Sequence, residues 1–272
     1  MARLFGLEAA ARDFRYACPL PPPHSGEAML RDLGGRLGRF FDGEHPTRVT
    51  PFDPIAVAES LAPARTVYTG NYVLSRAGLR HGIPFADLKL RMAGPTLGRL
   101  LQARLGPAFA QANLPLLHRR TEAASGRAEY RPGVELDAGG VDLSGEYRRQ
   151  FLGDWMLFGI AELTADGYPD APLDGPAVAT ALQAVEARLL TEYRRVREMV
   201  MARLADLDRR LSGSPVPAPF AAFAETVRRN YGPEAPAVRA IEDAGFRDRW
   251  RARLAQAIRD YPAQRERWEA AF

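Results

Sequence analysis

A helical pattern between Pro176 and Leu211 constrains this fold more than any other stretch of the sequence. Its apolar residues follow one another in steps of three and four: Val178, Leu182, Val185, Leu189, Tyr193, Val196, Val200, Leu204, Leu207 and Leu211. This spacing puts them on one face of a single long α-helix. Around it, most of the chain from Asp142 onward shows helical periodicity, so we predict a long helical C-terminal region.

Other helical patterns are shorter and are bounded by capping or turn residues. One begins at Asp142 or Ser144, runs to about Leu163 and places six apolar residues on its buried side: Leu143, Tyr147, Phe151, Trp155, Phe158 and Leu163. Further helices are predicted over 1–16, 29–41 after Ser25, a short stretch from Asp53-Pro54, 95–105, 220–229, 237–244, 246–259 and from Pro262 to the end.

Two stretches are typical of strands. Thr66 to Leu74 is rich in Thr, Val and Tyr, and Phe109 to His118 is a second extended segment whose Pro115 favours an edge position. The predicted fold is therefore an α-rich α/β fold with a small sheet remnant around 66–74 and 112–118. We predict a loop over 122–140 and three regions: 1–43, 44–141 and 142–272.

Polar groups stand where both predicted strands end. The first strand runs into Gly70-Asn71, and the second ends on His118 with Arg119 behind it. With a helix between them, the two strands are expected to end at the same edge of a sheet. Open α/β sheets bind ligands at that edge, so we predict a site there.

Charge and cysteine content narrow the function classes. The 37 basic and 33 acidic residues give a net charge of +4, and Lys89 is the only lysine. The arginines reflect either a GC-rich codon preference or anion recognition. Acids are interleaved with bases, so nucleic-acid binding is not expected. The lone Cys18 excludes an intramolecular disulfide. No signal peptide and no apolar run of about 20 residues is seen, so we expect a cytoplasmic protein.

The stretch from Glu44 to Thr121 resembles the second half of a GT-A glycosyltransferase. In that family a strand ends in a Gly-Asn turn followed by an Arg-containing helix, as in Gly70-Asn71 and Arg76 here. A short strand of the form P-x-x-H-x-R follows later, resembled here by Pro115-Leu116-Leu117-His118-Arg119. The resemblance implies a nucleotide-sugar donor and an unknown acceptor, with Gly70, Asn71, Arg76, Arg91 and Arg119 binding substrate. It also implies that His118 ligates a divalent metal, Mn²⁺ or Mg²⁺, on the donor diphosphate.

The sequence departs from the family in the nucleotide-binding half and at the general base. Its Asp-x-Asp motif is missing, because Asp206-Leu207-Asp208 lies inside the predicted long helix. The stretch before Glu44 is too short for the nucleotide-binding βαβ half. We therefore expect a partner chain or a missing N-terminal half. In addition, Met92-Ala93-Gly94 stands where inverting members carry a Glu-Asp pair, so the general base has to come from elsewhere.

Glu146 and Asp154 are the candidate replacements for that base. With Gln150 they are spaced i, i+4 and i+8 on one helix face, and Gly153 would allow a ligand to approach closely. The alternative is a solvated stripe paired with Arg148 and Arg149, and Asp87 is a weaker candidate. His118 has an ordinary alternative as well, a histidine bonded to backbone at a strand end.

Two rival functions remain open. The helix from Pro176 to Leu211 would pack a partner or a second copy in a non-catalytic helical interaction module. Arginine-mediated nucleic-acid binding ranks last, because aromatic residues and arginines do not cluster together.

Overall fold

The computed structural model describes residues 18–40, 54–67, 72–82, 84–114, 135–137, 140–171, 173–213, 216 and 218–271. Its helices are α1 (Gly26–Phe40), α2 (Ala93–Leu105), α3 (Ser144–Ala165), α4 (Gly175–Leu211), α5 (Ala218–Tyr231), α6 (Pro236–Glu242) and α7 (Ala244–Ala271). Its strands are β1 (Ala62–Pro63), β2 (Ala110–Gln111), β3 (Glu135–Asp137) and β4 (Gly140–Asp142). The fold is α-rich with a small sheet remnant, as predicted.

Capping side chains set the start of several helices, in agreement with the sequence. The Ser25 hydroxyl accepts a hydrogen bond from Ala28 N at 3.1 Å at the start of α1. The Asp142 carboxylate accepts one from Ser144 N at 2.7 Å before α3, and Asp174 accepts one from Ala177 N at 2.7 Å at the start of α4. Each bond satisfies a backbone donor that has no partner inside its helix.

The strand predictions are only partly right in position, because β2 lies within the extended segment predicted from Phe109 to His118, whereas β1 precedes the strand predicted from Thr66 to Leu74. Among the described residues of 66–74 and 112–118, none is in a strand. Instead β1 pairs antiparallel with β2, with Ala62 opposite Gln111, and β3 pairs antiparallel with β4. In this second pair, β3 and the first residue of β4 fall within the predicted loop over 122–140. The short helix expected from Asp53-Pro54 is also absent from the described residues, which form turns between Val57 and Ser60. The predicted helix over 1–16 lies outside the described residues.

Pro262 does not break the last helix, contrary to prediction. Proline inside a helix removes one backbone hydrogen bond and costs roughly 3 kcal/mol. Here α7 continues through it to Ala271. Tyr261 is buried just before the proline, and the Trp268 indole donates to Leu79 O at 2.9 Å beyond it. Side-chain contacts on both sides therefore hold the helix together.

The described chain divides into two compact units, each assembled from three separate segments. The first unit takes residues from Met1–Phe52, Leu117–Arg148 and Glu192–Ala240, and the second from Asp53–Leu116, Arg149–Thr191 and Ile241–Phe272. The division predicted at 43/44 and 141/142 stays a prediction.

In the first unit, α1 packs on α5, and α5 contacts β4. Its core contains three tyrosines, with the Tyr147 ring 5.6 Å from that of Tyr193 and 5.5 Å from that of Tyr231 in edge-to-face contacts. The buried Asn230 joins α5 to the chain just before α3, because its side-chain oxygen accepts a hydrogen bond from Leu143 N at 2.7 Å.

The second unit has a helical core around Trp155, which is fully buried and donates from its indole to Leu182 O at 2.8 Å. Tyr168 lies in the same unit and donates from its hydroxyl to Ile258 O at 2.9 Å. Burial raises the pKa of Tyr168, so this phenol stays a proton donor at all ordinary pH values. Phe158, predicted to be buried, is instead 39% exposed, with the Arg188 guanidinium 5.8 Å above its ring.

The apolar stripe of α4 is covered. Val178, Leu182, Val185, Leu189, Tyr193, Val196 and Leu204 are buried. No residue of α4 is among the large apolar side chains that are exposed in the described chain. Val200, Leu207 and Leu211 of the same stripe are half-buried. The interaction-module alternative, which expects a large exposed apolar face on this helix, stays a prediction. No described helix is both long and apolar enough to cross a bilayer.

Candidate functional site

A strained segment leads into α2 in the second unit. Among the described residues, Phe85, Lys89 and Met92 are the non-glycine residues with positive φ, at 57°, 50° and 62°. Side chains in the left-handed region cost energy, and such residues concentrate at functional sites. Met92 is the N-cap residue of α2, and its carbonyl accepts hydrogen bonds from both Thr96 N at 2.9 Å and Thr96 Oγ1 at 2.8 Å.

Two glycines bring α2 against the chain that precedes Gly70-Asn71. Val67 N donates to Gly94 O at 3.2 Å. A Cβ added to Gly94 would overlap Val67 O, and one added to Gly98 would lie 2.6 Å from Thr66 Cα. Only glycine allows this approach at either position. The sequence does contain a signal for this contact, because two glycines four residues apart lie on one face of a helix.

A third glycine brings α3 against the same segment. A Cβ on Gly153 would overlap Arg91 O and lie 2.7 Å from the Arg91 carbonyl carbon. One turn earlier on α3, Arg149 O accepts a hydrogen bond from Arg91 N at 3.4 Å, and Arg149 Nε donates to Lys89 O at 2.8 Å. The sequence predicted that Gly153 admits a ligand, but the Arg91 backbone occupies that space. Gly153 therefore positions the segment before α2.

The candidate acid Asp154 follows Gly153 directly. Its side chain is half-buried, and its Oδ1 accepts a hydrogen bond from Gln150 Nε2 at 2.8 Å. Gln150 is only 4% exposed, as is Glu146. The solvated-stripe alternative is therefore wrong for Gln150 and Glu146. Glu146 belongs to the first unit, where it lies among buried residues.

The remaining predicted site residues are placed as follows. Gly70, Asn71, His118 and Arg119 lie outside the described residues. Arg91 is exposed in the segment that contacts α3, and Arg76 is exposed in a turn outside these contacts. The structure thus brings the Arg91 backbone, one residue before the N-cap of α2, against Gly153, the residue before Asp154. The alternative acid Asp87 is exposed within the strained segment.

The described residues do not supply a ligand set for the implied metal. No group of three His, Cys, Asp or Glu side chains within this part of the chain is arranged to hold a metal ion. His118 lies outside the described residues, so its role as a metal ligand stays a prediction.

A second charged cluster in this unit surrounds His81. The Arg104 guanidinium donates to His81 Nδ1 at 3.0 Å and to Glu269 Oε1 at 3.0 Å. Arginine is only a donor, so Nδ1 accepts and the ring is neutral. Arg265 completes the group and bonds Asp170 at 2.7 Å. Burial and then Arg104 lower the pKa of His81, with Arg265 acting in the same direction and Glu269 opposing it.

This cluster gives a prediction about pH. A histidine pKa that is lowered on folding means that the unfolded chain binds the proton more readily. The stability from neutral His81 is therefore complete above its ordinary pKa of 6.5 and is lost as pH falls through the lowered value. We expect His81→Asn, which keeps an acceptor near Nδ1 but does not titrate, to lose less thermal stability than the wild type between pH 7 and pH 5. An equal decrease in Tm between pH 7 and pH 5 for the two proteins would contradict this prediction.

No family model, curated protein or solved structure matches the chain.

Proposed function

We propose that this chain is the acceptor-side half of a GT-A-like glycosyltransferase, which transfers a sugar from a nucleotide-sugar to an acceptor hydroxyl. The nucleotide-binding half would be supplied by a partner chain or by a preceding segment. One observation carries the proposal. The chain leading to Gly70-Asn71, the start of α2 and the Gly153–Asp154 turn of α3 meet through backbone contacts at Val67–Gly94 and Arg91–Gly153.

These contacts suggest a replacement for the general base that the family carries and this chain lacks. Inverting members carry their base where this chain has Met92-Ala93-Gly94, and removing a proton from an acceptor hydroxyl needs a carboxylate nearby. Gly153 packs on Arg91, the residue before Met92, and Asp154 is the next residue along α3. Asp154 is therefore proposed as the base. Its half-buried side chain is accessible enough to meet an acceptor.

Arginines are the proposed ligands of the donor diphosphate. Arg91 and Arg76 are exposed and would neutralise the donor diphosphate together with Arg119, because guanidinium groups bind phosphate oxygens bidentately. Gly70 and Asn71 would contact the sugar or the acceptor. His118 would ligate Mn²⁺ or Mg²⁺ on the diphosphate, and Glu146 remains the second candidate acid.

Donor binding tests the proposal directly. We expect a panel of nucleotide-sugars with Mn²⁺ to include one that raises Tm and gives heat on titration. At a ligand concentration of 100 Kd the stabilisation is about 2.7 kcal/mol, which shifts Tm by several degrees. The absence of both signals with every donor, with and without Mn²⁺, would refute the donor-binding roles proposed for Arg76, Arg91, Arg119 and His118 in this chain.

The role of Asp154 is tested by an isosteric change. We expect Asp154→Asn to keep donor binding and to lose transfer by about 10²- to 10⁴-fold, because the amide cannot accept the acceptor's proton. Asp166→Asn is the matched control, since Asp166 is exposed just beyond the end of α3. Equal transfer rates in the two variants, measured by nucleotide release, would remove Asp154 from the mechanism.

A further inference from the structure

Gln150 is a polar residue on the buried side of α3. Its side chain is 4% exposed, and one turn later its amide donates to Asp154 Oδ1 at 2.8 Å. A buried amide is costly unless it is hydrogen-bonded, and apolar residues are the usual occupants of such positions. Here the Gln150 amide donates its hydrogen bond to a carboxylate, and such a charge-assisted bond is stronger than one between neutral groups.

The backbone around Gln150 is fixed from outside the helix. Its neighbour Arg149 accepts a hydrogen bond from Arg91 N at 3.4 Å, and one turn later Gly153 lies against Arg91 O. Both contacts join the same turn of α3 to the segment before α2. The Gln150 amide is therefore presented from a rigid backbone, which is the requirement for orienting a reacting group.

We propose that Gln150 is a positioning residue that holds the Asp154 carboxylate in one rotamer and in its ionised form, ready to take a proton. This inference rests on the proposed function, in which Asp154 is the base. A hydrogen bond donated to a carboxylate favours the charged form, and a fixed rotamer removes the need to orient the base in each turnover.

Gln150→Met tests the proposal, since it keeps the length of the side chain and removes the donor. Gln256→Met on α7 is the matched control, because Gln256 Nε2 donates to Asp260 Oδ1 at 2.7 Å with the same spacing but in an exposed pair. The first measurement is ¹³C NMR titration of aspartate carboxyls, with the Asp154 signal identified by its loss in Asp154→Asn. We expect Gln150→Met to move the Asp154 titration midpoint upward by about one pH unit.

The second measurement is transfer by the assembled enzyme. We expect kcat to fall about tenfold in Gln150→Met while KM for the donor changes by less than about twofold. Gln150→Glu should regain activity as the pH falls, because the introduced carboxyl donates a hydrogen bond only when it is protonated. Gln256→Met should leave kcat unchanged.

The outcomes separate the two proposals. An unchanged Asp154 midpoint in Gln150→Met, with transfer intact, would overturn the positioning role and leave the function standing. A shifted midpoint in a protein that binds and transfers no sugar would overturn the function and, with it, the role of Gln150 in a reaction.

Discussion

Replacing Gly153 with alanine should both destabilise the second unit and weaken donor binding. The new Cβ would overlap the carbonyl oxygen of Arg91 and lie 2.7 Å from its carbon, so backbone has to move. Overpacking of this kind costs about 3 kcal/mol, and the better helix propensity of alanine returns about 1 kcal/mol. We expect a net loss of about 2 kcal/mol in urea unfolding. Donor binding should weaken as well, because the displaced segment carries Arg91, a proposed ligand of the donor diphosphate.

Two other glycines provide a graded control. Gly175, the first residue of α4, has no heavy atom within 4 Å of an added Cβ, so Gly175→Ala should be neutral or slightly stabilising. At Gly159 the added Cβ would lie 2.9 Å from Leu182 Cδ2, the flexible end of a side chain, so Gly159→Ala should have an intermediate cost. If Gly153→Ala matched Gly175→Ala in unfolding free energy, the close contact with Arg91 would not be a real constraint.

The helices were predictable because their signals are local. The apolar spacing of α4 and the caps at Ser25, Asp142 and Asp174 depend on residues within a few positions of one another. A period of 3.6 and a capping oxygen specify a helix before any tertiary contact exists. Pro262 is the exception, because contacts made by distant residues outweigh its local preference.

The first strand was predicted in the wrong place because pairing depends on partners far along the chain, whereas β2 lies inside the extended segment predicted from Phe109 to His118. Thr66 to Leu74 has strand-forming composition, yet Val67 N bonds to Gly94 O at the start of a helix. The observed pair joins Ala62 to Gln111, and neither residue favours strands by type. Strand propensity reflects packing on a neighbouring surface, which composition alone does not specify.

The candidate site was predictable in its residue types and less so in its geometry. Asp154 was identified from helical spacing and from the missing acid near Met92. The contact between Gly153 and Arg91 was missed, and so was the part played by Gln150. The first depends on a contact between α3 and a segment some 60 residues earlier, as in the Arg149–Lys89 bond. The second depends on the burial of Gln150, since its bond to Asp154 joins residues only four positions apart. A spacing rule indicates which side chains share a face, whereas the chain that packs on that face is set by the tertiary fold.

The second large effect is expected at Glu186, a buried carboxylate on α4. Its Oε1 accepts a hydrogen bond from Arg247 Nε at 2.8 Å, and its Oε2 accepts one from Arg251 Nε at 2.9 Å, both on α7. Only 9% of the Glu186 side chain is exposed, against 15% and 25% for the two arginines. We expect Glu186→Met to lower the free energy of unfolding by about 3 kcal/mol, because it leaves the poorly solvated Arg247 without a carboxylate partner and Arg251 with only the exposed Asp248, at 2.9 Å.

A matched surface pair and a compensated variant test this explanation. Glu162 pairs with Arg188 at 2.9 Å, but the two side chains are 37% and 57% exposed, so Glu162→Gln should cost less than about 1 kcal/mol. Replacing Glu186, Arg247 and Arg251 together by Met should recover much of the loss, since no unpaired charge then remains. If the triple variant were as unstable as Glu186→Met, the loss of unfolding free energy would come from removing the carboxylate and not from the arginines left without it. Equal losses in Glu186→Met and Glu162→Gln, measured by urea unfolding at pH 7, would show that burial of the Glu186 cluster adds nothing.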